Sequence, residues 1–295
     1  MQTARTPALD RVTGATAALF ALLLLVDSGH FIFARALLPY FDPLWSATGV
    51  LGVAALQVGL YGAWRGQLHL TTLRTHFAFL ATVGFLVGTS TAFSYSAVAY
   101  IDAGVAAMLA KTSILFSIIL GVVWLREKIN RVQLAGGMLA LVGVFLVTFQ
   151  PGDLLRFGSI LVLVGTLLYA LHAAVVKRYA HTLSFMDFFF GRLLYTTLTL
   201  FIIALFRPPT VAPPAEGWLI LVLAGTVDVV ISRTLYYQAL RRLTMSLHAI
   251  ILTISPVATL AWSLALFNSS PAPQQLLGGL VVLVGVALAA TFRDR

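Results

Sequence analysis

Cysteine is absent from this 295-residue chain. That excludes disulfides, iron–sulfur centres and thiolate metal sites, and it leaves the redox compartment open. Charge is scarce as well. Asp, Glu, Lys and Arg make up 10% of the residues, where a soluble domain carries about 25%. Acidic side chains are fewest, 10 against 19 Lys and Arg, for a formal net charge of +9. Signatures of catalysis are missing too: no HExxH, GxSxG, Walker A or dinucleotide fingerprint occurs where its fold would require it. His30, His172, His181 and His248 are spread over three helices and a loop without metal-ligand spacing. No enzymatic activity, cofactor or metal is expected. The first apolar run has no small-residue cleavage site after it, so it is expected to remain as a helix.

What fills the chain instead is apolar. Hydrophobic residues make up 60% and the mean hydropathy is +0.96. A membrane span needs about 20 mainly apolar residues, and ten such stretches can be read: 13–38, 43–64, 76–100, 103–125, 131–149, 157–179, 184–206, 216–240, 245–267 and 274–292. The connections are short and carry breakers, among them Pro39, Pro43, Pro151-Gly152, Pro208-Pro209 and Pro271. The expected fold is an all-α integral membrane protein with ten transmembrane helices. In a soluble protein such a basic balance would point to nucleic acid. Here the basic residues lie between apolar runs, so no nucleic-acid partner is expected and the charge reports orientation. With the N-terminus in the cytoplasm, the inner segments hold thirteen: Arg5, Arg11, Arg65, Arg74, Arg126, Lys128, Arg131, Lys177, Arg178, Arg241, Arg242, Arg293 and Arg295. The outer segments hold two, Arg156 and Arg207. Both termini are therefore expected in the cytoplasm, across a bacterial inner membrane.

One stretch is written twice. Ser90 to Leu146, moved by 142 residues without a gap, lands on Ser232 to Leu288, with fourteen identities in 57 pairs, nine of them in the last fourteen positions. Gln133-Leu134-x-Gly136-Gly137 and Leu141-Val142-Gly143-Val144 return as Gln275-Leu276-x-Gly278-Gly279 and Leu283-Val284-Gly285-Val286. Residues 1–150 and 151–295 thus read as two five-helix repeats of one membrane domain. Five is odd, so the second copy must enter the membrane inverted. Inverted repeats are characteristic of transporters, with the ligand near the midplane between the halves.

The 5+5 arrangement, with Trp124 to Gly137 leading into a Leu-Val-Gly-Val helix end, resembles the EamA-like branch of the drug/metabolite transporter superfamily. Its most specific part is Glu127 after the fourth helix, followed by Gln133 and the glycines of the fifth. Two departures stand out: Ser269 replaces the acidic residue in the second copy, and Ile114 stands where a proline is frequent, opposite Pro256. Within that branch, Leu168 to Ala180 is similar to the YddG-type amino-acid exporters. The resemblance implies a secondary-active exporter of aromatic or hydrophobic amino acids, or related small metabolites, working by alternating access. A small-molecule substrate and the lipid bilayer are the expected partners, and the chain is expected to act as a monomer.

Charged groups deep in a bilayer cost about 2.5–3.5 kcal/mol on insertion scales. Asp27, Arg35, Lys111, Arg192, Asp228 and Arg233 therefore deserve weighing. Helical spacing groups Asp27 with His30, Thr91 with Tyr95, and Tyr169 with His172. Lys111 lies beside Ser113, Asp228 aligns with Ser232, and His248 lies on one helix with Ser255 and Trp262. These thirteen residues are the candidate lining of a substrate cavity. Lysine would meet a carboxylate, acidic groups an amine, and the rings an apolar side group. Single Ser and Thr residues are more often interhelical hydrogen-bond formers, at about 0.6 kcal/mol each. No acidic residue shares the helix turn of Lys111, which favours a ligand role for it. Asp228 is equally well read as a partner of Arg192 or Arg233. Asp27 carries the alternative function, proton-coupled export of cationic drugs. Gly84-x-x-x-Gly88 reads as helix packing. Pro256 is a hinge candidate, because it frees the carbonyl of Leu252. Helices two, five and ten carry few polar groups and are expected to form a lipid-facing rim.

Overall fold

The computed structural model describes residues 22–23, 25–124, 131–148, 156–179, 183–208, 213–235, 262, 264–267 and 271–291, and every regular element among them is helical. In order these are α1 (His30–Leu37), α2 (Pro43–Trp64), α3 (Leu70–Thr75), α4 (Phe77–Ala97), α5 (Ala103–Ala110) and α6 (Ser113–Val123). There follow α7 (Arg131–Thr148), α8 (Phe157–Tyr179), α9 (Phe185–Ala204), α10 (Ala215–Ala224), a π-helical segment (Gly225–Ile231) and α11 (Pro273–Thr291).

Local chemistry sets several of these limits. Asp42 caps α2 by accepting from Leu44 N at 2.9 Å, with Pro43 in the first turn. Asp102 caps α5 by accepting from Gly104 N at 2.7 Å. Ser184 caps α9 through Asp187 N at 3.2 Å. Past α2, Gly66 has φ +62, the left-handed conformation that ends helices.

Six stretches are long and apolar enough to cross a membrane: Pro43–Trp64, Phe77–Ala97, Ala103–Gly121, Phe157–Val176, Phe185–Ala204 and Ala215–Leu235. Leu134–Leu146 and Pro273–Leu288 are shorter apolar helices. These agree with eight of the expected spans to within a few residues. The first is described only from residue 22, and most of the ninth lies outside the described residues. The short helix α3 is an addition, in a stretch read as a connection.

Outward faces are apolar, with Leu56, Leu60, Leu134, Met138, Val142, Phe145, Leu277, Leu280 and Val284 all exposed. Such a surface suits lipid rather than water. Inside, α4 packs against α8 and α9, while α10 packs against α1 and α2, and the π segment against α2. These pairings exchange under the 142-residue shift, because α4 maps onto the α10–π stretch, α1 onto the end of α8 and α2 onto α9. The second helix is therefore not a simple lipid-facing rim. Val50, Ala54, Ala55 and Val58 are buried in the core cluster, on the helix that α9 and the π segment cover.

Helices α7 and α11 run against each other, and the repeated glycines make their contact. A Cβ on Gly143 would lie 2.5 Å from Val282 N and 2.8 Å from Gly278 O. A Cβ on Gly285 would collide with Ala140 N and lie 2.7 Å from Gly136 O. Val282 and Gly278 are themselves 142 residues from Ala140 and Gly136, so each repeat meets the other with the same atoms. Gly84 and Gly88 form a second close approach, to α9, where Cβ atoms would lie 2.6 Å from Tyr195 C and 2.9 Å from Thr199 Cβ.

Candidate functional site

Among the described residues, three membrane helices are interrupted, and ionisable side chains stand at each interruption. The first helix turns at Ser28 and Gly29, directly after Asp27. The fourth stops at Ala110, makes a turn at Lys111 and Thr112, and resumes at Ser113. The eighth winds into the π segment, with Asp228 in its first turn. Interrupted helices free backbone groups and are found in membranes where protein or a polar cavity can satisfy them.

The first and eighth helices are joined by two pairs of opposite sense. His30 Nδ1 lies 2.8 Å from Asp228 Oδ2, and since a carboxylate only accepts, the proton belongs on Nδ1. Arg233 Nη2 lies 3.9 Å from Asp27 Oδ1. Numbering rises along one helix as it falls along the other, so the two run antiparallel. Among the described residues Asp228 pairs with His30, where the sequence offered Arg192 or Arg233 as one of two equal readings. Tyr95 stacks edge-on to His30, with ring centroids 5.6 Å apart. Its hydroxyl, Asp228 Oδ1 and Ser232 Oγ are buried without a hydrogen-bond partner among the described residues. Buried polar atoms are rarely left so, and three together mark a place where water or a ligand completes the network.

A second group adjoins the first. Tyr169 and His172 rings are 5.1 Å apart, and Arg192 Nη2 lies 3.5 Å from the Tyr169 hydroxyl. Asp27 and Arg233 act electrostatically on both Tyr169 and Lys111. Lys111 is half-buried, and no carboxylate reaches ion-pairing distance of it among the described residues. Among the described residues, Lys111, Arg192 and Arg233 against Asp27 and Asp228 give the neighbourhood one net positive charge, taking histidine as neutral.

Not every candidate joins. Thr91 and Ser113 are half-buried and make no hydrogen bond to the group among the described residues. Trp262 is 37% exposed. His248, Ser255 and Pro256 lie outside the described residues. Arg192 and Arg233 belong to the group although the candidate lining did not include them. One signal could have strengthened the pattern: His172 follows His30 by 142 residues, the repeat distance, and so does Tyr169 follow Asp27.

A separate cavity of about 440 Å³ opens at the Arg35 end of the bundle. Its lining includes Arg35, Tyr100, Asp102, Arg156, Phe267 and Gln275, and none of the thirteen candidates. Arg35 Nη1 donates to Asp102 Oδ2 at 3.0 Å.

Among known proteins, the chain is 28% identical over 192 residues to the riboflavin transporter ImpX of Fusobacterium nucleatum, a match covering 62% of this chain and 64% of that relative. A solved crystal structure superposes on 93% of this chain and 96% of its own, with a TM-score of 0.64 and 17% identity, and so shares the fold. The model of the EamA-like transporter family matches twice, over residues 14–149 and 156–291. With both halves matched and six apolar stretches of membrane-spanning length, the chain is a multi-pass membrane protein that belongs to the EamA-like transporter family, a family of transporters rather than enzymes.

Proposed function

We propose that this protein is a secondary-active exporter that moves a small carboxylate-bearing metabolite with an aromatic or hydrophobic side group, amino acids first among them. The observation that carries the reading is Lys111, a cation at a helix interruption with no carboxylate paired to it among the described residues, beside Tyr169 and a net positive neighbourhood. The substrate carboxylate would meet Lys111. Its amine would meet Asp27 or Asp228, and its side group the rings of Tyr95, Tyr169 and His172. Residues 1–150 and 151–295 would act as inverted repeats that expose this chamber to each side in turn. The thirteen-to-two bias of basic residues supports cytoplasmic termini and a bacterial inner membrane. The cation-export alternative is weakened, since Asp27 already has Arg233 beside it.

A flat heterocycle is the second reading, and it is motivated by the riboflavin transporter among the relatives. One experiment addresses both. Proteoliposomes are loaded with labelled tryptophan, leucine or riboflavin, and release is followed with and without the Lys111→Met and Tyr169→Ala substitutions. Saturable tryptophan or leucine flux, reduced at least tenfold by Lys111→Met, is expected. Saturable riboflavin flux indifferent to Lys111→Met would favour the heterocycle, and no saturable amino-acid flux would refute the amino-acid reading.

A further inference from the structure

The cavity at the Arg35 end stands apart from the chamber, and its chemistry is specific. Two guanidiniums line it, Arg35 and Arg156, against one carboxylate, Asp102. That carboxylate is already engaged, with one oxygen on Gly104 N at 2.7 Å and the other on Arg35 at 3.0 Å. Arg156 is different: its Nε is shielded from solvent and has no hydrogen-bond partner among the described residues. A buried guanidinium nitrogen in that condition calls for an acceptor. Three helices also begin around the cavity, α5 behind Asp102, α8 behind Arg156 and α11 behind Pro271. Their positive ends add to the field that the two arginines set. The volume, about 440 Å³, falls in the range of small-molecule sites.

We propose that this cavity is a binding site for a small organic carboxylate, held by Arg156 and Arg35 with the rings of Tyr100 and Phe267 beside its apolar part. Asp102 shows what the site accepts, because its own carboxylate sits on Arg35. Arg35 lies 5.0 Å over the Phe267 ring and ties α1 to the start of α5 through Asp102. An arriving carboxylate competes with Asp102 for the same guanidinium and loosens that tie. In the orientation proposed above the site faces outward, so it senses anions on the side to which the transporter releases its cargo. The inference goes beyond the chamber reading and shares no residue with it.

Benzoate and benzamide, nearly equal in shape and different in charge, test it on the purified full-length protein by thermal unfolding across a millimolar titration. Benzoate is expected to stabilise saturably, with at least tenfold higher affinity than benzamide. Arg156→Gln is expected to cost benzoate at least tenfold in affinity, Arg156→Lys to keep part of it, and Lys111→Met to leave it unchanged. Absence of benzoate binding, or equal stabilisation by both compounds, overturns the proposal; should Arg156→Gln fail to fold, Arg156→Lys and Lys111→Met still decide, weakened binding in the first and unchanged binding in the second being required. Benzoate binding kept in Arg156→Gln but lost in Lys111→Met also overturns it, placing the carboxylate in the chamber and leaving the transport reading intact. Flux lost with benzoate binding unchanged tells the opposite story.

Discussion

Replacing Gly143 or Gly285 by alanine tests the architecture at its narrowest point. A built Cβ on Gly143 sits 2.5 Å from Val282 N, and ordinary contact begins near 3.4 Å. The obstacle is backbone, so no rotamer change relieves it. The helices α7 and α11 must separate by about 0.9 Å, a gap that forfeits a quarter to a half of the dispersion energy across it. Ala140, Val144, Val282 and Val286 are all at most 9% exposed and all lose contact together. Overpacking of this kind costs about 1–3 kcal/mol. Two features of the seam sharpen the prediction. Gly285 meets Ala140 and Gly136 as Gly143 meets Val282 and Gly278, so the two single substitutions should cost the same to within about 0.5 kcal/mol, the additivity noise of such measurements. Once one alanine has opened the seam, the second enters space already made, so the double variant should cost well below the sum. Denaturant unfolding in detergent, followed by tryptophan fluorescence, measures all three. Tolerance of either alanine, a large inequality between the two, or full additivity would refute the symmetrical seam.

The His30–Asp228 pair should show a coupling energy of about 1.5–3 kcal/mol in a double-mutant cycle of His30→Gln and Asp228→Asn, as a charge-assisted hydrogen bond. A value at or below the membrane average of about 0.6 kcal/mol would show that the pair does not couple the two helices. Asp187, buried at the start of α9, accepts from His69 N at 2.8 Å and Ser184 Oγ at 2.8 Å, with His69 Nδ1 at 3.1 Å. Asp187→Ala should destabilise by about 1–3 kcal/mol, since it removes a carboxylate acceptor from His69 and Ser184, which are themselves exposed and can turn to water, and unfolding unchanged to within 0.5 kcal/mol would show these contacts to be idle.

Much of this fold was legible in the chain because its determinants are local. Hydropathy locates spans, as Pro43–Trp64 and Phe157–Tyr179 show. The repeated Gly-Gly and Leu-Val-Gly-Val segments could be seen because a backbone-to-backbone crossing tolerates few residues but glycine. The interruptions were not legible. A two-residue turn at Ser28–Gly29 or Lys111–Thr112, or a π segment around Asp228, leaves the mean hydropathy of a span nearly unaltered. Partners were also hidden. A helical stripe places Asp27 near His30, but only tertiary packing decides that the eighth helix faces them and supplies Arg233 and Asp228 in turn. The buried face of the second helix was missed for the same reason, because Val, Leu and Ala serve equally well against lipid and against α9.

Both turns that interrupt the first and fourth helices use one solution. At each, an ionisable residue is followed by a hydroxyl, Asp27-Ser28 and Lys111-Thr112. Ser28 Oγ donates to Leu25 O at 2.7 Å, and Thr112 Oγ1 donates to Leu109 O at 2.8 Å. Each hydroxyl thus reaches back three residues to a carbonyl near the interruption, where lipid offers no replacement. The local dipoles pull both ways. Lys111 closes the C-terminal end of α5, where a cation is favoured, but stands just before α6, where it is not. Asp27 closes one helical stretch just before α1 begins, each effect being about 0.3–1 kcal/mol. Those sums are small against the cost of a charge in the bilayer, so dipoles alone do not explain why the charges are there. For Asp27, Arg233 supplies the remainder. Lys111 has no such carboxylate among the described residues, and the imbalance at that one interruption is what a carboxylate-bearing substrate would correct.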